Sequence, residues 1–237
     1  VRRLSLALDV LVALREATGS ADAALGASAT LAELAGADAL RLGLREELHP
    51  VRESDVRDLR RSARRLELRM APVPGLVKVA LEARPDLVVL AAEGALGVGP
   101  FGSTELRTRD SALLGAVRSL EEAGIPVAAL VPPEIEAVKA AHTLGVAGVE
   151  LYTGMTVDLP VNERRRELEF LGDAARLAAK LELEVGVGGG LDVHGLREVL
   201  AAAPVCGRVV VGRALLQRAI LVGLDRALQD FRALLAA

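Results

Sequence analysis

The chain has 237 residues, 51% hydrophobic and 26% charged, which suits one large domain with a thoroughly buried core and argues against two independent ones. A formal net charge of −3, with Phe101, Tyr152, Phe170 and Phe231 as the whole aromatic set, offers neither a cationic face nor a stacking platform and speaks against nucleic acid. No run reaches the roughly 18 uninterrupted apolar residues of a membrane span. The lone Cys206 excludes an internal disulfide and reads as a buried thiol, so a soluble cytoplasmic protein with no membrane partner is expected.

In chain order, short apolar runs fall at residues 4–9, 39–44, 66–71, 87–91, 127–131, 146–152, 183–188 and 208–212. A stretch of helical period follows each, with an additional short helix after the first. Glycines punctuate the helix ends, as in Leu34-Ala35-Gly36, Glu122-Ala123-Gly124 and Thr143-Leu144-Gly145. Strands alternating with helices imply an α/β fold with a parallel sheet. Eight pairs at this length imply a (β/α)8 TIM barrel, a single domain over residues 1–237. Arg60, Arg61, Arg64 and Arg65 read as one solvated helix face.

Two connections exceed what a barrel requires, 92–108 after the fourth strand and 153–162 after the sixth. Both fall at the C-terminal face, where such barrels build their sites, and they read as lids or as plain surface loops. The first, with Gly94, Gly97, Gly99, Pro100 and Gly102, is expected to be mobile.

The seventh strand runs into Gly188-Gly189-Gly190, and the eighth ends in Val211-Gly212-Arg213 at the start of an apolar helix. Glycine lets the backbone approach a ligand closely, and the N–H groups of a helix N-terminus suit an anion. The loops after strands seven and eight are where barrels of this kind often hold phosphate. A phosphorylated small molecule is therefore the expected partner, with pure turn geometry as the alternative.

The order and spacing of several motifs resemble the pyridoxine 5'-phosphate synthase family over nearly the whole length. They are Leu8-Asp9 with Ala13-Leu14-Arg15, Leu31 to Asp38, Leu44-Arg45-Glu46, Asp55-Val56-Arg57, Met70-Ala71, Glu150-Leu151-Tyr152-Thr153-Gly154, Gly188 to Leu191 with His194, and Gly212-Arg213-Ala214-Leu215 with Val222-Gly223-Leu224. The resemblance implies a barrel that condenses 1-deoxy-D-xylulose 5-phosphate with 3-amino-2-oxopropyl phosphate, works as a homo-oligomer and takes no cofactor.

The departures from that pattern fall on positions to which the resemblance assigns chemistry. Where the family's first strand ends in Asn-x-Asp-His, this chain has Ala7, Leu8, Asp9 and Val10. A histidine before Leu-Arg-Glu is Gly43, and a second one aligns with Pro50, with His49 one place out of register. The general-base glutamate before Met-Ala is Arg69, the histidine of the seventh loop is Gly189, and the histidine after the eighth strand is Arg213. An arginine supplied by a partner subunit is Thr18. Ring closure needs repeated proton transfers, which Val10, Gly43 and Gly189 cannot make, and Arg69 stays protonated. Glu93 and Glu150 remain as catalytic candidates.

Strand alternation puts Arg41 with Gly43, and Glu67 with Arg69, on single faces. If those faces point inward, Arg41 and Glu67 pair across neighbouring strands. Arg69 then lies nearer the mouth with Arg45 and Arg213 as an anionic-ligand cup, or else neutralises Glu93 or Glu150. Asp9 and Thr153 complete the expected ligand-binding set with Gly188, Gly189, Gly190 and Gly212.

His49, His142 and His194 lack metal-ligand spacing, so no metal is expected. His142 reads as solvent-facing, His194 as part of a helix N-terminus and Ser54 as a helix cap; Ser5 and Ser103 have no base placed beside them. Three functions remain open. The first is a family barrel that keeps a phosphorylated ligand while ring-closing activity is lost or altered. The second is an active synthase in which Glu93, Glu150 and His49 share the proton transfers. The third is an oligomeric scaffold whose mouth is closed by Arg69 and Arg213.

Overall fold

The computed structural model describes residues 2–19, 25–91, 111–154 and 159–236. Its strands are β1 (Arg3–Ala7), β2 (Ala39–Gly43), β3 (Leu66–Met70), β4 (Leu87–Leu90), β5 (Val127–Val131), β6 (Gly148–Tyr152), β7 (Glu184–Gly188) and β8 (Arg208–Val211). The helices are α1 (Asp9–Thr18), α2 (Leu25–Leu34), α3 (Glu53–Ser62), α4 (Pro74–Ala83), α5 (Ser111–Glu122), α6 (Ile135–Leu144), α7 (Val161–Lys180), α8 (Val193–Ala202), α9 (Arg213–Val222) and α10 (Leu224–Ala236). Each strand pairs in parallel with its sequence neighbours, and β8 pairs with β1, so the expected (β/α)8 barrel closes. The extra helix after β1 is present as α2.

The outward faces of the strands are apolar because they pack against the surrounding helices. Outward residues such as Leu4, Leu6, Leu40, Leu42, Leu66, Leu68, Val88 and Leu90 are fully buried in the main cluster. Inside the barrel, Leu87, Val89, Ala91, Ala128, Leu130 and Tyr152 form a separate, smaller cluster on β4 to β6. The remaining interior wall is polar, with Ser5, Arg41, Glu67, Glu150 and Arg208 all buried. The barrel interior is thus part apolar and part charged.

Local signals decide most element ends. Gly145 closes α6 in the left-handed conformation, φ 86°, as its place before β6 predicts. Residue 9 departs from expectation: the strand stops at Ala7, and Asp9 opens α1. The Leu8 N–H still bonds the Arg41 carbonyl at 3.0 Å, after which the chain turns and sets the Asp9 carboxylate at the positive end of the helix. Ser54 does not cap α3 but lies inside it. The cap is made by Asp55, whose Oδ2 accepts the Arg52 N–H at 2.9 Å. Helix α3 also ends before Arg64 and Arg65, which lie in the link to β3.

Two family-like motifs turn out to be one clamp. Arg15 donates from Nη1 and Nη2 to the two carboxylate oxygens of Asp55 at 2.7 and 2.8 Å, and from Nη2 to the Pro50 carbonyl at 3.1 Å. This fork ties α1 to α3 and to the loop that follows β2.

Candidate functional site

The floor of the candidate site is an ion cluster in the barrel interior. Strand register brings Arg41 opposite Glu67, and Gly186 opposite both Glu150 and Arg208. Arg41 donates to Glu67 Oε2 from Nε at 3.1 Å and from Nη2 at 2.7 Å, and to Glu150 Oε1 from Nη1 at 2.8 Å. Arg208 Nη1 donates to Glu150 Oε2 at 2.8 Å, and the Ser5 hydroxyl donates to Glu67 Oε1 at 2.9 Å. The predicted Arg41–Glu67 pair is therefore present, but as half of a four-membered cluster.

Glycines on β7 make room for it. A Cβ at Gly186 would lie 2.7 Å from Arg208 Nη2, and one at Gly188 would lie 2.9 Å from Glu150 Oε1. These glycines serve packing of the charged core, a use their sequence context did not signal. Arg208 also went unassigned; its clue was an arginine on the inward face of a strand otherwise made of valines.

Burial alone would raise the Glu150 pKa, but the charges of Arg41 and Arg208 overcome it and hold the carboxyl at about 2. Glu67 is lowered in the same way, against its burial, chiefly by Arg41 and Arg208. Glu150 is thus an anion throughout the neutral range, a fixed charge rather than a group poised to exchange a proton.

Above this floor lie Arg69, Gly43 and Asp9, expected from the resemblance to belong to the site. Arg69 is 8% exposed, with Nη2 3.5 Å from Asp9 Oδ2. The other Asp9 oxygen accepts the Gly43 N–H at 2.7 Å. A Cβ at residue 43 would lie 2.7 Å from Asp9 Oδ1 and 3.0 Å from Arg69 Nη2, so the guanidinium occupies the space beside this glycine. Burial lowers the Arg69 pKa, opposed by Asp9 first and, more weakly, by Glu150 and Tyr152. Among the described residues Arg69 pairs with Asp9, and Glu93 lies outside them.

Gly189 is the second such place. Its φ is +115°, and a Cβ there would lie 2.7 Å from two carbons of the Tyr152 ring. The tyrosine ring fills the volume beside residue 189, with its hydroxyl against Gly154. Thr153 is fully buried and braces this loop: its N–H bonds the Gly188 carbonyl and its hydroxyl the Gly189 carbonyl, each at 2.9 Å.

At the ends of β7 and β8, Gly190 has φ +71°, and Gly212 stands before α9, whose N-terminus has no side-chain cap. A Cβ at Gly212 would lie 3.1 Å from the Ala7 Cβ, so β1 and β8 approach closely here. Arg213, exposed, is the first residue of α9, and Arg45 is half-buried in the loop after β2. His194 sits in the first turn of α8, capped by Asp192, while His49 and His142 are exposed. Cys206 is buried and donates to the Arg208 carbonyl at 3.0 Å. Among the described residues no His, Cys, Asp and Glu cluster is placed to hold a metal ion, and no helix is long and apolar enough to cross a membrane.

Fold and mouth together define a (β/α)8 barrel with glycine-lined ends on its last two strands and a charged rim. The chain belongs to the family described as "Pyridoxal phosphate biosynthesis protein PdxJ", which matches residues 4–237. It is 34% identical over 230 residues to the pyridoxine 5'-phosphate synthase of Geotalea daltonii, covering 96% of each chain. With the enzyme of the same name from Desulforapulum autotrophicum it shares 33% identity over 238 residues, 99% of each chain. With that of Synechocystis sp. it shares 36% over 208 residues, 87% of this chain and 86% of the other. A solved 3-hexulose-6-phosphate synthase has the same fold, with 18% identity, a TM-score of 0.62 and coverage of 98% of this chain and 99% of that one. So does a thiamine phosphate pyrophosphorylase from Pyrococcus furiosus, with 17% identity, a TM-score of 0.60 and coverage of 98% and 94%.

Proposed function

We propose that the barrel mouth binds a phosphorylated small molecule of the pyridoxine 5'-phosphate synthase substrate class. The observation that carries this reading is the join of β7 and β8: Gly189 and Gly190 at positive φ beside the uncapped N-terminus of α9, which begins at Arg213. Backbone N–H groups at a helix start, with an arginine beside them, suit a phosphate. Gly188, Gly212, Arg45, Arg69, Asp9 and Thr153 surround or brace the bound molecule. Thermal-shift titration with 1-deoxy-D-xylulose 5-phosphate and pyridoxine 5'-phosphate tests the reading, and the absence of a shift with either refutes it.

Two observations bear on the chemistry performed. The relatives favour an active synthase, condensing 1-deoxy-D-xylulose 5-phosphate with 3-amino-2-oxopropyl phosphate, because proteins of that name match at 33–36% identity over most or nearly all of the chain. They lend no support to the expectation that the reaction is lost. The filled spaces beside Gly43 and Gly189 favour altered chemistry, because imidazoles cannot stand there unless Asp9, Arg69 and Tyr152 move. In an active synthase Glu150 supplies fixed charge, and Glu93 and His49 are the expected groups that remain for the proton transfers. Rescue of a vitamin B6 auxotroph, with product formation by the purified protein, decides for the synthase; failure of both decides for altered chemistry. A cytoplasmic homo-oligomer belongs to either version, and the exposed Leu34, Ile220 and Leu221 supply apolar surface for association.

A further inference from the structure

The turn that follows β7 takes its shape from the strand beside it. Side chains alternate along β6, so Glu150 and Tyr152 face into the barrel while Leu151 is buried in the outer core. Tyr152, at the C-terminal end of β6, belongs to the interior apolar cluster. A Cβ at Gly189 would lie 2.7 Å from two carbons of its ring, and one at Gly154 would run into its hydroxyl. The ring is thus a rigid seat between two glycine backbones, one in its own loop and one in the turn after β7.

One residue further on, Thr153 carries the pairing of β6 with β7 past the strand ends. Its N–H bonds the Gly188 carbonyl, and its buried hydroxyl donates to the Gly189 carbonyl, each at 2.9 Å. The second bond sets a direction as well as a position. The Gly189 carbonyl and the Gly190 N–H belong to one planar trans peptide, in which the two groups point opposite ways. With the carbonyl drawn towards β6, the N–H is turned away from it, to the side where β8 and the start of α9 lie. Gly189 at φ +115° and Gly190 at φ +71° supply the backbone conformations that this orientation requires.

Building on the phosphate reading above, we propose that Tyr152 and Thr153 are positioning residues for the ligand phosphate. The ring supports the turn after β7, and the hydroxyl sets the Gly189–Gly190 peptide so that the Gly190 N–H faces the anion. Neither side chain needs to touch the ligand for this. An N–H that already points at the phosphate needs no rearrangement on binding, so the affinity depends on two side chains of the preceding strand and its loop.

Isothermal titration calorimetry of the whole chain with inorganic phosphate and with pyridoxine 5'-phosphate separates positioning from simple filling of space. Loss of folded protein lowers the stoichiometry, whereas a misdirected N–H raises Kd. Thr153→Val keeps the shape without the hydroxyl and is expected to raise Kd at least about tenfold for both probes at unchanged stoichiometry. Thr153→Ser keeps the hydroxyl and should stay within about twofold of the unaltered protein. Tyr152→Leu removes the ring and should weaken binding about tenfold, while Tyr152→Phe, which keeps the ring, should not. An unchanged Kd in Thr153→Val or Tyr152→Leu, a fall in stoichiometry alone, or equal losses in the serine and valine variants overturns the assignment. In each of those outcomes the unaltered protein binds, so the phosphate reading stands. Binding of neither probe by the unaltered protein sinks both.

Discussion

Arg69 and Gly43 share one volume across β2 and β3: the arginine Nη2 lies 3.0 Å from where a Cβ at residue 43 would begin, with Asp9 Oδ1 closer still at 2.7 Å. The absence of a side chain at one position is thus the condition for the guanidinium at the other. Gly43→Ala is expected to cost about 1–3 kcal/mol as overpacking. In an Arg69→Ala background, where Asp9 can swing aside, the same change costs measurably less. Urea unfolding of the four proteins in this cycle reads the coupling, and strict additivity would show that the two residues do not share the space.

Glu150 bridges the two buried arginines, and Glu150→Gln leaves Arg41 and Arg208 short of a counter-charge. The expected loss is about 3–5 kcal/mol, the range for removing one partner of a buried ion pair. A loss below 1 kcal/mol by urea unfolding would mean that solvent or Glu67 replaces the missing charge.

Acid should undo the same cluster. The Glu150 carboxyl is held at about 2 against an ordinary value of 4.5, and Glu67 is lowered too. Because these groups bind protons more readily when unfolded, their stabilisation is complete above pH 4.5 and is lost as pH falls towards 2. Asp55, lowered against its burial by its hydrogen bonds with Arg15 and Arg52, adds a loss of the same sign. Urea midpoints should fall through that window, and Glu150→Gln should flatten the fall. A profile unchanged by the substitution would show that the arginines do not hold the Glu150 carboxyl low.

The Arg15–Asp55 fork predicts coupling between two helices. Asp55→Asn removes the charge and is expected to cost about 1.5–3 kcal/mol, the range for charge-assisted hydrogen bonds. Arg15→Ala in that background should add little. Independent losses from the two changes would mean that the fork is a bystander.

Cys206 offers a test of burial with no function attached. Burial pushes its thiol up to about 11, so at pH 8 it should react with a thiol reagent only as fast as the protein opens. Full reaction within the mixing time under native conditions would place it at the surface.

The sequence by itself determined the barrel, the extra helix after the first strand and the family. The period of apolar residues and the glycines at helix ends are local signals, and the family motifs keep their order along the chain. From strand alternation alone it also paired Arg41 with Glu67. Only the tertiary structure decided what the charges do. Arg41 and Glu150 are 109 residues apart in sequence, and Glu150 and Arg208 are 58 apart, yet all three meet inside the barrel with Glu67. Their meeting depends on the stagger of eight strands around a closed sheet, which no stretch of sequence contains. For the same reason the ion-pair partner found for Arg69 is Asp9, carried at the start of α1, and the space beside Gly189 belongs to the ring of Tyr152. A sequence shows where a glycine stands; the fold determines which neighbour fills the space beside it.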